Sequence, residues 1–191
     1  MKKYLCLIFT FALTTNSVFP QTVDEYFYTG EAYFNEGRFN EARIIVEEAI
    51  RLYPEDIRLH LALGSIYFHL NEFNLSLYCY SNAIELDNSF AEAYNMRARI
   101  HRTLGNYDKA LADYNMAISL EPENDVYYRQ RGLFIAFGFG NFQLALADFN
   151  MAIAKNILNY ENFHARGAFF ASFGRYEFAL ADLNEAINLN N

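Results

Sequence analysis

The sequence predicts an all-α chain built as a solenoid of five stacked helix pairs. Three observations carry that expectation. First, a nonapeptide recurs: ALADYNMAI at 110–118, ALADFNMAI at 145–153 and ALADLNEAI at 179–187, with ARIIVEEAI at 42–50 and SLYCYSNAI at 76–84 as looser copies. The small residue that opens each copy (Ala42, Ser76, Ala110, Ala145, Ala179) steps by 34 residues, except for one step of 35. A fixed period of this size marks an array in which each unit buries its apolar face on its neighbours. Second, an apolar segment precedes each nonapeptide, with bulky residues at 3- and 4-residue steps, as one stripe of a helix requires. Third, a Gly or Asn stands between the two segments of every unit, where a helix ends at low cost in the left-handed conformation.

The units follow in order. Repeat 1 (23–56) has its first apolar stripe at 26–33, the turn Glu36-Gly37-Arg38, and a second helix that ends before Pro54. Repeat 2 (57–90) has a stripe at 60–67 and the turn Leu70-Asn71-Glu72. Repeat 3 (91–124) has a stripe at 94–101, the turn Leu104-Gly105-Asn106 and a closing Pro122. Repeat 4 (125–159) has a stripe at 128–135 and the turn Phe139-Gly140-Asn141; it is the long copy, and the extra Gly138 marks the inserted residue. Repeat 5 (160–191) has a stripe at 163–170 and the turn Phe173-Gly174-Arg175. Gly30, Gly64, Gly132 and Gly167 fall where the two helices of a unit must approach most closely, and an aromatic (Phe39, Phe73, Tyr107, Phe142, Tyr176) starts each second helix. The 18% aromatic content is thereby mostly core rather than a cofactor site.

This pattern resembles the tetratricopeptide repeat family over about 23–191. Copy 1 supplies Tyr26, Thr29-Gly30, Tyr33, Ala42, Val46, Ala49 and Pro54; copy 3 supplies Tyr94, Arg97-Ala98, His101, Ala110, Tyr114, Ala117 and Pro122. Copy 5 supplies Phe163, Arg166-Gly167, Phe170, Ala179, Leu183 and Ala186. His60 and His101 in aromatic slots depart from the pattern. The resemblance implies a right-handed α-solenoid that binds a protein or peptide.

The last three copies carry Arg in the first helix (Arg97, Arg131, Arg166) and Asp in the second (Asp113, Asp148, Asp182), whereas the first two carry Thr29 with Ile45 and Leu63 with Cys79. Residues that arrive and leave together predict charge pairs between helices, serving register more than stability.

Residues 1–21 read differently: Lys2 and Lys3, an apolar run over 4–13, then Thr14, Thr15, Asn16 and Ser17. This matches a secretory signal peptide and is too short to span a bilayer, so export to a periplasm or medium is expected, with an uncleaved N-terminal anchor as the alternative. Once Cys6 is removed with that segment, Cys79 is the remaining thiol, expected to be a buried small hydrophobe.

The net charge of −8 excludes a basic surface for phosphate backbones, hence no nucleic-acid partner is expected. The four histidines (His60, His69, His101, His164) have no partners at metal-ligand spacing, and Gly138-Phe139-Gly140 lacks the strand and third glycine of a dinucleotide fingerprint. No catalytic, cofactor or metal site is expected.

Function is thereby expected on the surface. In the family, first-helix residues that do not pack internally line a concave groove. Carried over by register, these are Phe27, Glu31 and Phe34; Arg58, Leu61, Ser65 and Phe68; Asn95, Arg99 and Arg102; Arg129, Leu133 and Phe137; then His164 and Ala168. Aromatics mixed with arginines suit recognition of an extended segment, and the arginines suggest an acidic one. Phe27, Glu31 and Ala62 stand where chaperone-binding members need Lys and Asn, so the resemblance does not imply that activity. The apolar residues of the last helix predict a second contact surface, with self-association or docking in an envelope complex as its use.

Overall fold

The computed structural model describes residues 22–190, so the signal-peptide reading of 1–21, with Cys6, lies outside the described residues. Among them are ten α-helices and no strand: α1 (Val23–Asn35), α2 (Phe39–Leu52), α3 (Ile57–His69), α4 (Phe73–Leu86), α5 (Ala91–Thr103), α6 (Tyr107–Leu120), α7 (Asp125–Phe134), α8 (Phe142–Lys155), α9 (Tyr160–Ser172) and α10 (Tyr176–Leu189). Each odd-numbered helix packs on the even-numbered helix that follows, and each pair packs on the next, which makes an all-α solenoid. None of these helices is long and apolar enough to cross a membrane.

Local chemistry sets the boundaries. Four of the five first helices start at a side chain that accepts a backbone N–H: Thr22 from Glu25, Asp56 from Arg58, Asn124 from Val126 and Asn159 from Glu161. The fifth, α5, starts at Phe90, which cannot cap. First helices end where Gly37, Gly105, Gly140 and Gly174 adopt φ between 63° and 75°, and Asn71 does the same at 61°. The chain then closes back on the helix: the Glu72 N–H donates to Tyr67 O at 2.8 Å and the Asn106 N–H to His101 O at 2.8 Å.

Repeat 4 shows where its extra residue goes. Ile135–Phe139 continues α7 as one wider π-helical turn containing Gly138. An added residue in a helix is absorbed this way without shifting the faces on either side. The turn presents Phe137 to solvent, while Phe139 packs edge-on against Phe134 with ring centroids 5.2 Å apart.

Helix pairs are held by small residues and by charge. Ala42, Ala110 and Ala145 are fully buried. Ser76 fills the same place in repeat 2 and spends its hydroxyl on Gly64 O at 2.6 Å. A Cβ added at Gly64 would lie 2.8 Å from the Tyr80 ring, so the ring sits where a side chain would otherwise be. Arg97 grips Asp113 through Nε and Nη2, both at 2.8 Å, and Arg166 grips Asp182 at the same distances. The third donor of each reaches back to the preceding repeat, to Ser81 from Arg97 at 3.3 Å and to Asn150 from Arg166 at 2.6 Å. One guanidinium thus ties three helices.

Candidate functional site: the face of the first helices

The row α1, α3, α5, α7, α9 carries the residues that the family resemblance assigned to the groove. Neighbours in this row touch, except that α3 and α5 approach each other less closely. There a cavity of about 380 Å³ opens. It gathers Phe27, Glu31 and Phe34 of α1 with Arg58, Leu61 and Ser65 of α3, six residues assigned to the groove from the family resemblance and its register. Gly30, Ala62, Ile66, Phe90 and Glu92 complete its lining; Ala62 was named only as a departure from chaperone-binding members, and Phe90, Glu92 and Ile66 were missed. A signal for Phe90 was available: at 34- and 35-residue spacing it takes the place of the capping residues Thr22, Asp56, Asn124 and Asn159.

The cavity's polar groups fall into two kinds. Arg58 is committed, with Nη1 on Asp24 at 2.8 Å and Nη2 on Asp56 at 2.7 Å, and its guanidinium stands 5.3 Å from the Phe27 ring centroid. These carboxylates hold it charged well above the usual range. Ser65 shares a hydrogen bond of 2.8 Å with Tyr80, whose phenol burial pushes up to about 12. Glu31 and Glu92, by contrast, reach solvent and have no hydrogen bond or ion pair among the described residues. The walls around the Glu92 carboxyl raise its pKa, and Glu121 raises it further.

The other expected wall residues do not join this cavity. Phe68 is half-buried beside it, under the Arg99 guanidinium at 5.3 Å. Arg99 also donates to Met96 Sδ at 3.2 Å, and Arg102 points to solvent. Leu133 packs against the core, Phe137 stands on the π turn, and His164 and Ala168 are exposed on α9. Two placements differ from expectation. Asn95 is 5% exposed and Arg129 is 7% exposed, so neither is an open wall residue. Arg129 is long enough to cross to the next repeat: Nη1 donates to Asn162 Oδ1 at 2.7 Å, Nη2 meets Glu161, and Asp125 lies at 3.7 Å. Asn162, fully buried, returns a hydrogen bond to Asp125 at 2.8 Å. This network was not foreseen, because it joins unlike columns of the repeat. Of the four groove arginines, Arg99 and Arg102 face no carboxylate in an ion pair among the described residues.

Three further titratable groups, Cys79, His60 and His101, lie inside the packing. Cys79 is buried, and burial pushes its thiol up to about 12. His60 is hydrogen-bonded to Pro54 O at 2.7 Å. Burial depresses the His101 pKa. No cluster of metal-ligating side chains exists among the described residues.

Comparison with known proteins agrees with the fold. Tetratricopeptide repeat models match residues 23–56 and 91–124, and a TPR repeat model matches 64–101. The chain is a tetratricopeptide repeat protein. Among solved structures it is similar to a thermophilic TPR protein of Thermus thermophilus (TM-score 0.79, 21% identity, 88% of this chain and 91% of that one). It is also similar to a tetratricopeptide repeat protein from Parabacteroides merdae (TM-score 0.76, 18% identity, 91% of this chain and 67% of that one). A third likeness is to pilF of Pseudomonas aeruginosa (TM-score 0.75, 18% identity, 87% of this chain and 75% of that one). At these identities the likeness establishes the fold. Comparison with curated proteins finds no match.

Proposed function

We propose that the protein is an exported interaction scaffold that holds a peptide or a partner segment along the face of its first helices. It presents the segment and performs no chemistry on it. The observation that carries this reading is the cavity in which Phe27, Glu31, Phe34, Arg58, Leu61 and Ser65 converge on one side of an otherwise committed set of side chains. Rigid apolar walls with a few polar groups are what ligand sites offer. An acidic part of the segment fits toward the third repeat, at Arg99 and Arg102. The export element rests on the character of residues 1–21.

The test is affinity capture from the envelope fraction of the source cells. The wild-type protein is compared with an Arg99→Glu, Arg102→Glu variant across a salt series. A partner that the wild type holds and that salt and the variant both release supports the reading. A partner held equally by both at every salt concentration contradicts it.

A second reading rests on the last helix. Leu180 and Ile187 are 63% and 60% exposed, while Leu146 and Ile153, in the same register one repeat earlier, are half-covered by α9. A subunit docked permanently through α10, or a second copy of the chain, would cover that surface. Constant elution volume over about a hundredfold dilution would dismiss self-association.

A further inference from the structure

We propose that the cavity between α1, α3 and the start of α5 is an anchor pocket for one large apolar side chain followed directly by a Lys or Arg. This deepens the groove reading and rests on it. The volume of about 380 Å³ lies in the roughly 300–1,000 Å³ range of ligand pockets. Phe27, Phe34, Leu61 and Phe90 make the walls apolar, which selects an aromatic or long aliphatic side chain.

Charge selects the neighbouring residue. The one cation of the lining, Arg58, already faces two carboxylates, Asp24 and Asp56. The two anions, Glu31 and Glu92, face none among the described residues. The uncompensated charge of the lining itself is negative, so an ammonium or guanidinium is favoured there and a carboxylate is repelled. Farther along α5, Arg99 and Arg102 favour the opposite sign.

Phe90 is an independent indication. Its position in the other repeats carries a capping side chain, which stabilises the helix it starts. Here that contribution is forgone, and the residue present lines the cavity. Local rules of stability are broken where a site needs something else.

The experiment is selection from a random octapeptide library by the purified protein, followed by fluorescence anisotropy on the selected peptides. The wild type is expected to enrich an apolar residue followed by Lys or Arg. Glu31→Lys with Glu92→Lys is expected to weaken those peptides about tenfold and to select acidic residues in their place. Phe90→Asn, which supplies the missing cap, is expected to raise the thermal midpoint while weakening binding about tenfold. A loss of affinity in a more stable protein cannot be ascribed to unfolding. Wild-type enrichment of acidic peptides, or of apolar peptides indifferent to all these changes, overturns the proposal. Peptides that depend on Arg99 and Arg102 but ignore Glu31, Glu92 and Phe90 leave the groove reading standing and sink the pocket. If no peptide is selected at all, both fall.

Discussion

Arg131 and Asp148 meet through two parallel hydrogen bonds, Nε to Oδ2 at 2.8 Å and Nη2 to Oδ1 at 2.7 Å. The third donor, Nη1, reaches Asn115 of the preceding repeat at 2.7 Å. The Asp side chain is 8% exposed and the Arg 23%, so solvent screens this pair only in part. Asp148→Ala leaves a mostly buried guanidinium without its counter-charge, and is expected to lower stability by about 3 kcal/mol. Asp148→Leu with Arg131→Met removes both charges and is expected to regain most of that loss, since Asn115 is exposed and turns to water. Chemical denaturation of Asp148→Leu, Arg131→Met and the double variant closes the cycle and gives the coupling energy. Additive losses would mean that the two side chains do not act as a pair.

This pair was legible in the sequence because Arg97, Arg131 and Arg166 keep step with Asp113, Asp148 and Asp182. Repetition made the fold legible in general: Gly64 was placed by period alone, and its hydrogen faces the Tyr80 ring. The candidate site was legible only where it follows the same period. Phe27, Glu31, Phe34, Arg58, Leu61 and Ser65 were found, since the family resemblance and the register place each on the groove side of a first helix. Phe90 was missed because it lies in the link between α4 and α5 rather than on a first helix, and Arg129 was misplaced because its buried partner Asn162 aligns with Glu25, Leu59, Ala93 and Tyr127 in the other copies. Periodicity reports what repeats share, and a binding site is built from what they do not.

Tyr80 and Tyr114 hold the same place in successive repeats, yet differ in one bond. The Tyr80 hydroxyl is paired with Ser65 at 2.8 Å. In the next repeat Arg99 stands where Ser65 did, and the Tyr114 hydroxyl is fully buried with no hydrogen-bond partner among the described residues. Repeat 4 has Phe149 there, also fully buried. Tyr80→Phe is expected to cost about 1 kcal/mol, while Tyr114→Phe relieves an unsatisfied hydroxyl and should leave stability unchanged or raise it by about 1 kcal/mol. Urea unfolding of both variants decides. Equal losses would show that Tyr114 has a partner of its own.

Cys79 tests how tightly α4 is held. It is 3% exposed, and burial pushes the thiol up to about 12, so almost no thiolate is present near neutral pH. In a Cys6→Ser background, reaction with an aromatic disulfide reagent at pH 8 is expected to be negligible in the folded protein. Reactivity should appear with the same denaturant midpoint as the loss of helical dichroism. Rapid labelling well below that midpoint would show α4 opening on its own.

Gly138 offers a test of the π turn. The bulky residue before the turn glycine is Leu104 in repeat 3, Phe139 in repeat 4 and Phe173 in repeat 5. Deleting Gly138 keeps Phe139 in that place and gives repeat 4 the common length of 34 residues. Ile135, Ala136 and Phe137 then align with Phe170, Ala171 and Ser172, which already fit a regular α-helix in repeat 5. The deleted residue contributes no side chain to the core, and an α-turn has better hydrogen-bond geometry than the wider one it replaces. The shortened protein is therefore expected to keep its helical dichroism and to melt at the same temperature or higher. If it melts well below the parent, the wider turn is required to seat Phe139 against Phe134 and Tyr107, whose rings now lie 5.2 and 6.0 Å away. In that case the insertion is part of the packing rather than a tolerated addition.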